Sequence, residues 1–279
     1  MKRKRIVKDI LSHALLIALS IVWLIPIVWV VAQSFNEEQG AYFPYFFPKK
    51  WSFCNYISLW TDNTQFMFGR WYLNTLIVAV FCCIISTFFV LSVSFVLSRM
   101  RFKARKPLMN VALVLGMFPG FMSMIAVYYI LKGIGITQSL FALILVYSGS
   151  AGLSYYIAKG FFDTIPKAID EAAYIDGATK FQVFTRITMP LSKPIVIYTV
   201  LTSFTAPWLD YIFASVIMGD KYERYTVSIG LWTMVQQEYV QTWFTRFTAG
   251  AVCVSIPIAL LFIVTQKYYV EGLSGAVKG

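Results

Sequence analysis

Apolar runs of about twenty residues alternate with short polar stretches along the whole chain, and runs of that length match the thickness of a hydrocarbon layer. Six of them stand out, at 13–31, 72–97, 107–131, 137–158, 194–218 and 247–266. Each is long enough to cross as a helix, which satisfies its own backbone groups where no water is available. The pattern predicts an all-α, polytopic membrane protein with six transmembrane helices. It divides the chain into an N-terminus over 1–12, a first transmembrane helix over 13–33, a loop over 34–71, a membrane core over 72–270 and a tail over 271–279. Two polar stretches, 163–190 and 219–246, interrupt the core.

Composition agrees with this reading. Hydrophobic residues make up 58% and charged residues 13%, where a soluble domain carries about 25% charged. Mean hydropathy is +0.67. The formal net charge of +11 suits either a nucleic-acid partner or an anionic membrane face, and the position of the charges decides between them. All but seven of the 24 basic residues fall in the N-terminus, the loops after the second and fourth spans, and the tail. The seven are Lys49, Lys50, Arg70, Lys132, Lys221, Arg224 and Arg246, on the opposite side. Basic loops stay in the cytoplasm, so both termini are expected there, with 163–190 cytoplasmic and 34–71 and 219–246 extracellular. The basic excess then reflects topology and lipid, and no nucleic-acid partner is expected.

The first span, after "MKRKR", resembles a secretory signal, with "VVA" ending at Ala32 as a mimic of a cleavage site. Its apolar run exceeds the usual 7–15 residues, and removing it would break the alternation of charge, so an uncleaved helix is expected. The loop over 34–71 contains "GAYFPYFFPKKW" without strand alternation, and its rings suit a membrane interface. The stretch over 219–246 is polar and aromatic, with part of it helical. Cys54, Cys82, Cys83 and Cys253 show no metal-ligand or redox spacing, and three lie in apolar runs where cysteine packs as a small hydrophobe.

The stretch "DEAAYIDGATKFQVFTRITMP" is a polar elbow between greasy segments. Pro166 suits the first turn of a helix. Ile165, Ala168, Ile169, Ala172 and Ala173 then recur with the spacing of one helical face. Gly177 falls where a C-terminal cap wants a left-handed residue. Thr179 and Gln182 fit a capping box for a second short helix, with Phe181, Phe184 and Ile187 as its apolar stripe. Met189-Pro190 is expected to end it, because the residue before proline avoids helical geometry. The residues leave two readings: a hairpin lying on the membrane face, or a docking element in which slim alanines allow close approach and Glu171 anchors a partner's arginine.

The spacing of this elbow, Glu171-Ala172-Ala173, Gly177, Ile187 and Met189-Pro190, resembles the EAA loop of binding-protein-dependent ABC importer permeases, with methionine where leucine is usual. "YYIAKGFFDTIPKAIDEAA" and "YYVEGLSGAVKG" are similar to the maltose-type, carbohydrate-uptake permeases. The resemblance implies a type I importer fold in a bacterial cytoplasmic membrane. It also implies a second, homologous permease, two ATPase subunits that hold ATP and magnesium, and an extracellular solute-binding protein. Carried over, Glu171 is the anchor, Ala172 and Ala173 the close-packed surface and Gly177 the turn, with Asp170, Tyr174, Asp176, Ile187, Met189 and Pro190 completing the coupling loop. The tail over 272–279 resembles family tails that reach toward the ATPase pair. Trp232, Gln236, Gln237 and Tyr239 lie where such permeases touch the binding protein. The expected cargo is maltose or a maltodextrin; raffinose-type and other oligosaccharide systems use similar permeases.

The pathway is less marked. Asp210, in "TAPWLDYIF", is an acid inside an apolar span, where a carboxylate is costly and points to a cavity or a pairing role. Pro207 is placed to kink that helix. Trp208 and Tyr211 flank it, while Asn74 and Tyr147 either line a path or hydrogen-bond between helices. His13 reads as an interface residue. No glycine loop of Walker type is present, so the chain is not expected to hydrolyse ATP or to bind a cofactor or metal of its own. An ion-coupled transporter would want paired ionisable groups and an internal repeat, and a membrane enzyme would want a nucleophile or metal constellation.

Overall fold

Backbone groups cannot stay unpaired in lipid, and the computed structural model, which describes residues 2–117, 120–149 and 152–276, is helical nearly throughout. In chain order the helices are α1 (Lys2–Ser34), α2 (Cys54–Thr61), α3 (Phe68–Arg99), α4 (Arg105–Met117), α5 (Gly120–Gly133), α6 (Leu140–Gly149), α7 (Gly152–Asp163), α8 (Lys167–Ile175) and α9 (Lys180–Gln182). A π-helical turn, Val183–Thr188, leads into α10 (Met189–Leu191), followed by α11 (Lys193–Leu209) and α12 (Ile212–Met218). A 3-10 turn, Tyr222–Arg224, precedes α13 (Val227–Met234) and α14 (Val240–Ala276).

Three helical stretches are individually long and apolar enough to cross a membrane: Lys8–Ser34, Phe68–Arg99 and Val240–Tyr268. Three bent pairs bring the number of spans to as many as six. The expectation of unbroken third, fourth and fifth spans is corrected here. α4 and α5 are bent by 105° and α6 and α7 by 41°, both across residues outside the described set. The helix expected over 194–218 stops at Leu209 and restarts at Ile212. Pro207 is accommodated within α11, and the break falls at Asp210, whose backbone is extended and whose side chain accepts from the Phe213 N–H at 3.1 Å. A carboxylate that bonds the first N–H groups of a following helix competes with continuing the preceding one.

Met189-Pro190 does not end the elbow's second helix, contrary to expectation. The turn before it widens to π geometry, with Met189 N–H bonded to Phe184 O, and Met189 keeps helical angles. That wider bonding lets the helix run past a proline that cannot donate. The bend comes instead at Ser192, where Lys180–Leu191 and Lys193–Leu209 meet at 85°. The loop expected over 34–71 holds α2 and an isolated antiparallel bridge between Asn36 and Trp51.

The chain divides into two compact units, Met1–Gly69 with Gly230–Ser255 and Arg70–Ile229 with Ile256–Gly279. In the first, α1 carries exposed apolar side chains over 10–28, Leu11 and Trp23 among them. Its end is tied by a polar knot. Buried Asn55 donates to Ser34 O (3.1 Å) and Asn36 O (2.7 Å) and accepts from the Thr245 hydroxyl (3.1 Å). Asp62 pairs with Arg246 at 3.0 Å, and Arg246 lies 4.3 Å from the Trp243 ring centre.

The second unit has two apolar clusters. One joins Val78, Cys82, Leu143, Ala214 and Met218. The other joins Val90, Phe95, Phe162, Ile165, Ala173 and Val183, and it is the floor on which the elbow rests.

Candidate functional site

The elbow is built from local rules. Pro166 caps α8, and Gly177 adopts φ +83° just past its end. Gly177 N–H bonds Tyr174 O at 3.1 Å and Ala178 N–H bonds Ala173 O at 2.9 Å, which is a Schellman closure. The capping box is formed in full: Thr179 Oγ1 accepts from Gln182 N–H at 3.3 Å, and Gln182 Oε1 accepts from Thr179 N–H at 2.7 Å. Two short helices are thereby held about Gly177 without help from a partner.

The predicted apolar stripe of α8 is split. Ile165 and Ala173 are buried, whereas Ala168, Ile169 and Ala172 are exposed. Ala168, Glu171, Ala172 and Ile175 share one helical face, all of them exposed. Tyr174 and Asp176 are exposed, and Ile187, Met189 and Pro190 lie on the second helix, the first two half-buried. Asp170 points the other way. Its Oδ2 lies 2.9 Å from Arg99 Nε, with side-chain exposures of 7% and 3%. Arg99 Nη2 also donates to Ile165 O at 3.1 Å. The Nε–H is not aligned on the carboxylate, and Arg99 Nη1 and Asp170 Oδ1 have no hydrogen-bond partner. Burial raises the Tyr174 phenol above its ordinary value, and the Asp170 carboxylate adds to this while Arg99 opposes it. Beside this pair, Ser98 Oγ donates to Asp163 Oδ1 at 2.6 Å and Lys159 pairs with the other oxygen of Asp163.

The candidate pathway residues form a second group. Tyr147 Oη donates to Asp210 Oδ2 at 2.5 Å, Phe213 N–H to Oδ1, and Ser228 Oγ to the Asp210 carbonyl at 2.6 Å. The helix break thus has both carboxylate oxygens and its carbonyl bonded. Trp208 is buried with its indole N–H unpaired and Tyr72 edge-on to its ring, 5.1 Å between centres. Tyr211 packs against the Val78–Met218 cluster. Asn74 is not among the groups bonded to Asp210. Its amide donates to Glu223 O and Tyr225 O, each at 3.0 Å. Trp71 Nε1 donates to Tyr222 O at 2.9 Å and Thr75 Oγ1 accepts from Val227 N–H at 2.8 Å. One face of α3, at i, i+3 and i+4, therefore staples the 222–227 segment.

Trp232 is exposed on α13, Gln236 and Gln237 are exposed at the turn between α13 and α14, and Tyr239 N–H closes that turn on Gln236 O at 2.9 Å. The Tyr239 ring meets Phe66 edge-on at 5.3 Å. The tail reading over 272–279 falls partly on 277–279, which lie outside the described residues. His13 Nδ1 donates to Asp9 O at 2.6 Å within α1. Among the described residues, no group of three or more His, Cys, Asp or Glu side chains is placed to hold a metal ion. Arg99, Trp71, Thr75 and Ser228 were not distinguishable in the sequence. Each acts on a residue far along the chain, and none carries a local pattern.

The family described as "Binding-protein-dependent transport system inner membrane component" matches residues 90–273. A galactooligosaccharides transport system permease protein of Bacillus subtilis is 34% identical over 100% of this chain and 99% of its own. A maltodextrin transport system permease protein of Streptococcus pneumoniae is 32% identical over 100% of this chain and 98% of its own. Among solved structures, a bacterial ABC transporter involved in the import of the acidic polysaccharide alginate superposes with a TM-score of 0.79 at 22% identity, covering 94% of this chain and 96% of that one. This likeness carries the fold, an all-α polytopic permease architecture of the type I importer kind.

Proposed function

The chain belongs to the binding-protein-dependent transport system inner membrane components, and from that membership we propose that it is a permease subunit of an ATP-driven importer of oligosaccharides. In the proposed assembly it pairs with a second, homologous permease. An extracellular binding protein delivers the sugar, and two ATPase subunits supply the hydrolysis that this non-catalytic chain does not perform. The observation that carries the cargo class is full-length similarity to permeases named for two neutral oligosaccharide classes. A maltodextrin is the cargo we favour, on the resemblance of "TSFTAPWLDYIF" and the tail. The galactooligosaccharide relative is the specific reason to keep that class as a second reading.

The elbow is the part that meets the ATPases in this reading. The exposed face of Ala168, Glu171, Ala172 and Ile175 suits close approach, because alanines leave the helix surface slim and one carboxylate stands in the middle of it. Schellman closure and capping box make α8 and α9 a preformed unit, so a partner loses little in ordering them. Closing of the ATPase dimer would then move the elbow as a lever and swing the helices between inward-open and outward-open states, each side biasing the same two-state element. Asp210, with Tyr147, Trp208 and Tyr211 about it, is the proposed lining of the path. Trp232, Gln236, Gln237 and Tyr239 are the proposed contact for the binding protein.

Replacing Glu171 by lysine tests the docking role. Reversing the charge at an interface should cost at least about 2 kcal/mol, roughly 30-fold in affinity. The ATPase subunits should then fail to co-purify and uptake should be lost. Unchanged co-purification and transport in Glu171→Lys would count against docking through this face.

A further inference from the structure

Asp170 and Glu171 are neighbours on α8 with opposite surroundings, Glu171 exposed and Asp170 buried against Arg99 at the end of α3. We infer that the Arg99–Asp170 pair is a positioning link that makes the elbow and the far end of α3 move as one body. In the importer reading, on which this inference rests, it is the route by which a push on α8 reaches the membrane helices.

Three features of the geometry carry the inference. The first is that the contact has two points. Arg99 reaches Asp170 on α8 and the Ile165 carbonyl in the segment leading into α8. One contact alone would act as a pivot, whereas a second, on the segment leading into α8, opposes rotation. The second is burial. A buried ion pair is a poor device for raising stability, since desolvation offsets its attraction, but pulling it apart leaves two uncompensated charges and is strongly opposed. The pair is nearly sealed from water and also incompletely bonded, with Arg99 Nη1 and Asp170 Oδ1 lacking partners. An arrangement selected only for stability would be better served by apolar packing at these positions, whereas resistance to separation is what a link requires. The third is continuity. Ser98, next to Arg99, bonds Asp163 at the end of α7, and Ala173, one turn nearly along from Asp170, packs into the Phe95–Phe162–Val183 cluster. The elbow is thus joined to α3 by charge and seated on the membrane helices by apolar contact.

The experiment uses the complete complex in proteoliposomes, with uptake and ATP hydrolysis measured together for the unsubstituted chain, Asp170→Asn and Arg99→Lys. Asp170→Asn should lower substrate moved per ATP by about tenfold, within the range that coupling free energies span. Arg99→Lys keeps the charge but cannot hold both Asp170 and the Ile165 carbonyl, and should fall between. A purely structural role would lower uptake and hydrolysis together and leave their ratio unchanged, and that result would overturn the inference. A second arm does not depend on the importer reading. Spin labels at Lys103 and Ile175, both exposed, are placed in a chain whose native cysteines are replaced by alanine. The distance distribution should be narrow and should broaden in Asp170→Asn; identical distributions would also overturn the link. Absence of ATP-driven uptake by the unsubstituted complex would sink the importer reading, while the spin-label arm would still decide the link.

Discussion

Replacing Asn74 by alanine should release the 222–227 segment from α3. The Asn74 amide donates to Glu223 O and Tyr225 O at 3.0 Å each, from a residue that is 8% exposed. Each such bond contributes about 1 kcal/mol net, so losing both should cost the segment about 2 kcal/mol. That is roughly a 30-fold rise in the population of its locally open form. The Trp71 and Thr75 bonds at Tyr222 and Val227 remain and keep the segment attached at its ends, so the effect is a local opening and not loss of the fold. Asn74→Asp keeps the size, removes the donors and sets a carboxylate against two carbonyls, so it should open the segment at least as far. Amide hydrogen exchange over 222–227 in lipid nanodiscs reads the change directly, and tryptic cleavage at Lys221 and Arg224 reads it independently. Unchanged protection in both variants would refute the stapling account. Loss of transport with the segment still closed would instead place Asn74 in the pathway.

Gly177→Ala should lower the melting midpoint of the chain, because a side chain at φ +83° costs about 1–2 kcal/mol in the left-handed region; Gly177→Asn should cost less, and an unchanged midpoint for alanine would contradict the Schellman assignment. The Asp62 carboxyl is held below its usual range by hydrogen bonds from the Thr64 hydroxyl and amide, with Arg246 adding to them. Its contribution is therefore fully present above the usual aspartate value of about 3.9 and is lost as the pH falls through the lower folded-state value. Melting midpoints followed from neutral pH to pH ~3 should fall more steeply for the native chain than for Asp62→Asn, and parallel curves would show that the shift has no consequence for stability.

What could be read from the sequence is what local rules decide. The capping box at Thr179 and Gln182 and the left-handed Gly177 depend on residues within a few positions of one another, and they formed as expected. Apolar length located the long apolar helical stretches but not their interruptions. Pro207 marks that span for a kink, yet the helix includes it and stops at Asp210, whose extended backbone and bond from Phe213 N–H no local pattern announces. Met189-Pro190 misled for a related reason, as a π turn upstream absorbed the proline. Periodicity placed Ala168, Ile169 and Ala172 on an apolar face with Ala173, but could not say that only part of that face would be covered. The pairs that organise the two sites, Arg99 with Asp170 and Asn74 with the 222–227 segment, join residues far apart in the chain. Arg99, one of five basic residues after the second span, looks like any other topology signal until the fold brings an aspartate to it.

We propose that this chain carries oligosaccharide across a membrane at the expense of ATP hydrolysed by partners. Reconstitution of the chain with its partner permease, ATPase subunits and loaded binding protein, followed by uptake of labelled maltodextrin into vesicles, tests it most directly. The account predicts accumulation that requires ATP, requires the binding protein and persists when ion gradients are collapsed. Uptake driven by an ion gradient in the absence of ATP would contradict it.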